Sequence, residues 1–120
     1  MPEYRKENGQ RYWTHVLYVV ELDLAVCGDR KSKCPREPCD RVPVYVGETT
    51  KTAKERFDEH KRGVNAGKGW VQYYGLHLRK SLVYPKVEFP NRPEAEKAER
   101  GLGKRLDAKG FCVYGPHSDG

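Results

Sequence analysis

Tyr45, Arg56 and His60 are the residues whose types and spacing most favour chemistry on a phosphate group. Arg56 and His60 lie four residues apart in a segment of helical character, so they share one helix face. Tyr45 lies in a preceding strand-like segment and points away from Val44 and Val46. A guanidinium, an imidazole and a phenol at one point can bind a phosphodiester and help to move a proton beside it.

A strand, a glycine and a capped helix are predicted to position these three groups. Valines at every second position of 42–47 predict a strand with one buried face. Gly47 is expected to end that strand, where the backbone turns or another group approaches closely. Thr52 and Glu55 have the spacing of a capping box, so a helix is expected over about 52–62.

One carboxylate, Glu99, falls inside an apolar stripe of the last predicted helix. At about 100° per residue, the helix over 93–109 places four apolar residues on the same stripe: Ala95, Ala98, Leu102 and Leu106. A buried carboxylate costs free energy unless it is paired or binds a cation. Glu99 is therefore interpreted either as the partner of Arg56 or another base, or as a metal ligand, with Glu96 as the fallback.

Three of the four cysteines lie close together in the sequence. Six residues separate Cys27 from Cys34 and four separate Cys34 from Cys39, whereas Cys112 is remote. In a reducing compartment such a cluster favours metal ligation over disulfides. Two interpretations stay open, a structural zinc site and free thiols on a flexible loop. The fourth zinc ligand would be Cys112, Asp40 or a histidine.

The composition predicts one basic domain with a polyanionic partner. The chain has 120 residues, which suffice for one modest core, and 33% of them are charged. The net charge of +6 favours nucleic acid, because lysines and arginines on phosphates release counterions. No apolar run approaches the length of a membrane span, and residues 1–10 do not have the pattern of a signal peptide. An intracellular, cytoplasmic location is expected.

The expected fold class is α/β (α+β), a small three-stranded, mostly antiparallel sheet flanked by helices. A basic arm (1–14) precedes one domain (15–114) and a loose tail (115–120). Strands at 15–22 and 42–47 are expected to pair antiparallel around the cysteine-bearing loop, 23–41. The other predicted elements are a helix over 70–82 interrupted at Gly75, a strand at 83–89, the last helix over 93–109 and a short strand at 111–114.

Two tyrosine motifs resemble those of the GIY-YIG nuclease domain family, and the resemblance spans about residues 15–110. Tyr18 stands at the end of the first motif, and 45–47, which reads Tyr-Val-Gly, stands for the second. The sequence departs from the family where Val16 replaces a glycine and where Glu48 follows the second motif. The cysteine loop also lengthens the gap between the motifs, and no residue clearly matches an asparagine that some relatives carry after the glutamate.

The two helices complete this resemblance. Arg56 and His60 take the positions of the family's helix residues, and Glu99 takes that of its metal-binding glutamate. The resemblance implies a catalytic set of Tyr18, Tyr45, Arg56, His60 and Glu99. It implies one Mg²⁺ (or Mn²⁺) bound by Glu99, a scissile phosphate held by Arg56, and either Tyr45 or His60 as general base. Further substrate contacts are expected from Lys51, Lys54 and Gly47.

The resulting functional prediction is a metal-dependent endonuclease that hydrolyses phosphodiester bonds in DNA. The alternative is a non-catalytic nucleic-acid-binding module with a zinc-clamped loop. Residues 59–61 (Glu-His-Lys) also contain the Glu-x-Lys triplet of another nuclease type, which belongs on a strand and here falls in a capped helix. Because so small a domain has little chain for reading bases, a homodimer or a separate specificity partner is expected to choose the target.

Overall fold

The computed structural model describes the backbone of residues 3–5 and 11–13, and the full residues of 14–28, 41–64 and 69–115. In chain order the elements are β1 (Glu3–Arg5), β2 (Arg11–Trp13), β3 (Val16–Leu22), β4 (Pro43–Thr49), α1 (Ala53–Lys61), α2 (Trp70–Tyr74), β5 (Gly75–Leu78), α3 (Arg92–Ala108) and β6 (Cys112–Tyr114). Short 3₁₀ turns occupy Leu24–Gly28 and Lys80–Leu82. The chain is thus an α+β domain.

Four strands form the central sheet in the order β5-β3-β4-β6. The antiparallel pairing of β3 with β4, which places Tyr18 opposite Gly47, agrees with the prediction. β5 joins the other side of β3 antiparallel, whereas β6 runs parallel to β4. The sheet is therefore mixed, and the predicted three-stranded sheet was one strand short.

Each face of the sheet is covered by a different set of helices because the side chains of β3 and β4 alternate. Tyr18, Val20 and Leu22 pack with α2 and β6 in one apolar cluster, against which Phe57 of α1 also packs. Residues of the opposite face pack with α3 in a second cluster, whose buried members are Leu17, Val19, Val44, Val46, Leu102 and Leu106. This layering puts α1 and α3 on opposite sides of β4.

The helices predicted over about 52–62 and over 93–109 both form, and each begins at a side-chain cap. The Thr52 side chain accepts from the backbone N–H of Glu55, and the Glu55 carboxylate accepts from that of Thr52, which completes the capping box. α3 begins after Asn91, whose side chain accepts from the N–H of Glu94 at 2.9 Å. Past the end of α3, Gly110 has a φ of 103°, a conformation that favours glycine.

Three element predictions were wrong. β4 does not end at Gly47 but continues to Thr49. The helix predicted over 70–82 ends at Tyr74, because Gly75 is extended and starts β5 along the edge of β3. No strand forms at 83–89, where the segment makes only an isolated bridge between Phe89 and His15. Pro85 has no N–H to donate to a ladder.

The amino-terminal arm also differs from its prediction. It was expected only as a basic arm without a strand, yet β1 and β2 pair antiparallel as a small two-stranded sheet. A three-residue strand pair carries little local signal, so the sequence pattern did not indicate it.

The cysteines depart from the zinc prediction where they are described. Cys27 is disulfide-bonded, so its sulfur is not the thiolate that a zinc ion needs. Cys34 and Cys39 lie outside the described residues. Cys112, a candidate fourth ligand, is fully buried in the apolar cluster of β3. None of the helices in the described ranges is long and apolar enough to cross a membrane.

Candidate active site

Tyr18 and Tyr45 lie side by side on one face of the sheet, as the two tyrosine motifs predict. Tyr18 is 2% exposed, and the two ring centroids are 6.1 Å apart. A Cβ on Gly47 would lie 2.6 Å from the Tyr18 hydroxyl oxygen, so only glycine lets the phenol cross β4 at this point. The group that approaches Gly47 closely is therefore Tyr18, and a substrate contact at Gly47 stays a prediction.

α1 supplies the imidazole that meets these phenols. His60 is buried, and its Nε2 lies 2.9 Å from the Tyr18 hydroxyl oxygen in a hydrogen bond. Its ring also meets Tyr45 edge-on, with 5.4 Å between centroids. Nδ1 of His60 is buried and has no hydrogen-bond partner among the residues that the structure describes. Burial, with the nearby charge of Arg56, lowers the pKa of His60 to about 4, so the ring is neutral at pH 7.

Arg56 lies one turn before His60 and faces the same cluster. Its side chain is 17% exposed, and Nη1 donates to Glu59 Oε1 at 3.2 Å and to the carbonyl of Val64 at 3.1 Å. A hydrogen bond from Arg56 also reaches Tyr18, where it acts to lower the pKa of the phenol. Among the predicted site residues, the structure thus gathers Tyr18, Tyr45, Arg56 and His60 at one point.

Neither phenol is prepared for ionisation by the protein alone. Burial raises the pKa of Tyr18 well above 10, with a smaller contribution from Tyr45. Burial and then the charge of Glu99 raise the pKa of Tyr45 to about 12, against the lowering effect of Arg56. Both tyrosines are therefore neutral in the resting site.

Glu99 approaches this cluster from the other side of β4. It is 4% exposed on the buried stripe of α3, as its position on the helix predicts. β6 pairs with β4 only up to Tyr45, and in the described part of the chain no strand covers the outer edge of β4 beyond that point. The charge of Glu99 acts on Tyr45 at this edge.

Glu48 is a second carboxylate beside Glu99, and it was not predicted as a site residue. Burial first, and then the charges of Glu48 and Glu96, raise the pKa of Glu99 to about 8. Arg100 and Arg92 act in the opposite direction. The signal for Glu48 was in the sequence, because a residue one position after Gly47 faces the side of β4 that α3 covers.

The two carboxylates suit a divalent cation that keeps most of its water ligands, rather than an ion enclosed by several protein ligands. No group of three or more histidine, cysteine or acidic side chains arranged for a metal occurs in the described ranges. Mg²⁺ needs no such group, because it is commonly held by one or two carboxylates with waters and substrate phosphates. Two neighbouring carboxylates, one of them buried and resisting ionisation, are stabilised by a cation that favours the charged form.

The predicted substrate lysines differ in their surroundings. Lys51 is about half exposed and its Nζ contacts Glu59 Oε2. Lys54 is 79% exposed and lies 3.3 Å from Asp58 on the outer face of α1. Glu59 was missed as a site residue, although its spacing three after Arg56 favours the pair.

Trp70 and Tyr74 pack against the apolar cluster, whereas Tyr73 is exposed.

No family model, curated protein or solved structure matches this chain. What is established is a small α+β domain whose mixed sheet carries an aromatic, guanidinium and imidazole cluster on one face. The GIY-YIG resemblance of its motifs stays a prediction.

Proposed function

We propose that this protein is a metal-dependent endonuclease that hydrolyses phosphodiester bonds in DNA. The observation that carries the proposal is the convergence of Tyr18, Tyr45, Arg56 and His60, with the buried acid Glu99 close enough across β4 for its charge to act on Tyr45. These side chains come from two strands and two helices far apart in sequence, and sheet packing alone does not require that set of polar groups. A basic chain of net charge +6 suits a polyanionic substrate.

Arg56 would bind the scissile phosphate. Its guanidinium is half-buried and already held by Glu59 and the Val64 carbonyl, so little side-chain freedom is lost on binding. A planar fork can donate to two phosphate oxygens at once. Lys51, which also contacts Glu59, would add a second positive charge near that phosphate.

Tyr45 would take the proton from the attacking water, with Tyr18 and His60 behind it. The contact of Tyr45 with Tyr18 acts to lower the pKa of Tyr45, and the Tyr18 hydroxyl is hydrogen-bonded to His60 Nε2. As Tyr45 takes the proton of the water, it would donate its own proton to the Tyr18 oxygen, and Tyr18 would donate its proton to the imidazole, which is neutral at pH 7. Because burial holds both phenols neutral at rest, proton transfer belongs to the substrate-bound site.

Glu99 would hold the cation, Mg²⁺ or Mn²⁺. When bound, such an ion supplies a Lewis acid that stabilises charge on the phosphate and the leaving oxygen. Glu99 itself would supply a carboxylate oxygen to the ion, because a bound cation favours the ionised form of this buried acid.

A non-catalytic nucleic-acid-binding module is the second candidate, and the raised pKa values of both tyrosines favour it. It binds DNA in a salt-sensitive way and cuts under no divalent-ion condition. The zinc-clamped loop of this alternative has no support at Cys27, which is disulfide-bonded.

Nicking of supercoiled plasmid with Mg²⁺ separates the two candidates. Glu99→Gln should abolish nicking and keep DNA binding, and the matched control Glu94→Gln, an exposed acid on the same helix, should nick as the wild type does. Loss of nicking in Glu96→Gln but not in Glu99→Gln would move the ligand to Glu96. Absence of nicking by the wild type with Mg²⁺ and with Mn²⁺ would overturn the nuclease proposal.

A further inference from the structure

Arg92, the first residue of α3, is placed at the edge of the candidate site by the segment that precedes it. Phe89 pairs with His15, and each backbone N–H donates to the other's carbonyl at 2.8 Å. Thr14 Oγ1 donates to Glu88 Oε1 at 2.8 Å beside this bridge. The start of α3 is thus tied to the start of β3, immediately before Val16 and Leu17 pair with Thr49 and Glu48.

Glu48 connects the Phe89–His15 bridge to the candidate site. Its side chain is 10% exposed, and Oε1 lies 2.7 Å from His15 Nδ1 in a hydrogen bond. Its other oxygen, Oε2, lies 3.4 Å from Nε of Arg92. A partly buried carboxylate is therefore held by His15, just before β3, and faces a guanidinium on α3.

The Arg92 guanidinium extends from this contact into solvent. Its side chain is 69% exposed, and the contact with Glu48 is made through Nε. An arginine held at Nε still presents the two terminal nitrogens of its fork, which suit two oxygens of one phosphate. A surface ion pair of this kind contributes about 0–1 kcal/mol, so stability alone is a weak reason for the arrangement.

Arg92 also lies close enough to the site for its charge to act there. It favours the ionised form of Glu99 and so acts to lower the pKa of that carboxyl. Arg92 is thus a solvent-exposed cation on the α3 side of the candidate site. Arg56 and Lys51 occupy the α1 side.

We propose that Arg92 binds a second phosphate of the DNA strand, next to the scissile one, and that Glu48, itself held by His15, is its positioning residue. The inference rests on the proposed function, because it extends the same substrate across the same site. The strand would then be held on both sides, by Arg56 from α1 and by Arg92 from α3.

The test is equilibrium binding of a short fluorescein-labelled DNA duplex, followed by anisotropy in EDTA over a series of salt concentrations. Arg92→Gln should weaken binding several-fold at low salt and reduce the number of released counterions by about one. Arg92→Lys keeps the charge and should restore the slope of log affinity against log salt concentration. It should not restore the full affinity, because an ammonium lacks the planar fork of the guanidinium.

Lys97→Gln is the matched control, since Lys97 is exposed on α3 and loses the same charge. Its angular position is about 160° from that of Glu99 on the helix, so its effect on binding should be smaller than that of Arg92→Gln. Melting by circular dichroism checks that both variants fold. Equal effects of the two glutamine variants on affinity and slope would overturn the inference, as would unchanged binding in Arg92→Gln.

Plasmid nicking with Mg²⁺, measured on the same proteins, separates this inference from the nuclease proposal. A wild type that never nicks, but whose binding depends on Arg92, contradicts the proposed hydrolysis and supports the second phosphate contact. A wild type that nicks, with an Arg92→Gln variant that binds and nicks equally well, leaves the nuclease proposal standing and removes Arg92 from the interface.

Discussion

Tyr18 and Gly47 depend on each other across the β3–β4 pair, and this dependence explains the Tyr-x-Gly pattern in physical terms. The phenol occupies the space that any side chain at position 47 would need. Without that space, Tyr18 could not reach His60 while remaining in the apolar cluster. A glycine that the sequence suggested as a strand end is thus a packing requirement inside a strand.

Gly47→Ala should therefore destabilise the protein by about 1–3 kcal/mol, since the new methyl group overlaps Tyr18 atoms 2.6 Å away. Gly101→Ala is the control, because nothing lies within 4 Å of its added Cβ and alanine favours the helix interior by about 1 kcal/mol. Urea unfolding measures both free energies. Equal stability of the Gly47→Ala protein and the wild type would contradict the close packing.

Tyr18→Phe tests the buried hydrogen bond rather than the packing. The change leaves His60 Nε2 without its phenol, beside an Nδ1 that already has no partner in the described part of the chain. An unsatisfied buried polar group costs about 1–3 kcal/mol, so the variant should lose that much of its free energy of unfolding. If the nuclease proposal holds, its nicking rate falls as well. A Tyr18→Phe protein as stable as the wild type would argue against the bond.

At the scale of elements, α1 presents Arg56 and Glu59 as one unit. Glu59 contacts both Arg56 and Lys51, the two cations on this side of the candidate site. An acid so close to a phosphate site would weaken DNA binding by its charge alone, so its value would be to orient the guanidinium. This argument predicts opposite effects of Glu59 on binding and on turnover.

Glu59→Gln should lower kcat about tenfold, equivalent to about 1.4 kcal/mol, without weakening the Kd for DNA. Asp58→Asn is the matched control, since Asp58 is on the same helix, is 47% exposed and pairs with the outward-facing Lys54. Single-turnover cleavage and anisotropy binding give the two quantities. The same loss of turnover in both variants would show that Glu59 does not orient Arg56.

The elements that could be predicted were those whose signals are local. Alternation predicted β3 and β4, the capping box at Thr52 predicted α1, and the apolar stripe predicted α3. The errors arose where a distant partner decides, as when β3 pairs with Gly75–Leu78 and turns an apparent helix into a strand. Likewise, helix position predicted the burial of Glu99, but only the packed sheet brings Glu48 beside it.

At the scale of the whole molecule, the sheet separates two buried titratable groups, His60 and Glu99. Their pKa values are shifted so that their contributions to stability change with pH in opposite directions. Burial lowers the pKa of His60 from 6.5 to about 4, so the unfolded chain binds this proton first and stability falls on acidification through that range. Burial raises the pKa of Glu99 from 4.5 to about 8, so the folded protein binds that proton more tightly and stability falls as pH rises. Where the two pH ranges overlap, the opposite slopes of the free energy of unfolding against pH cancel.

Above pH 6.5 only Glu99 of this pair contributes, so the free energy of unfolding should fall between pH 6.5 and pH 8. One pKa unit corresponds to about 1.4 kcal/mol, which limits the loss to about 2 kcal/mol. Glu99→Gln, which cannot ionise, should show no such fall in urea unfolding measured across this range. Added Mg²⁺ should reduce the fall in the wild type, because a cation favours the ionised carboxylate, and should leave Glu99→Gln unchanged. An equal fall in both proteins would place the responsible proton elsewhere, and an Mg²⁺ effect that persists in Glu99→Gln would place the cation elsewhere.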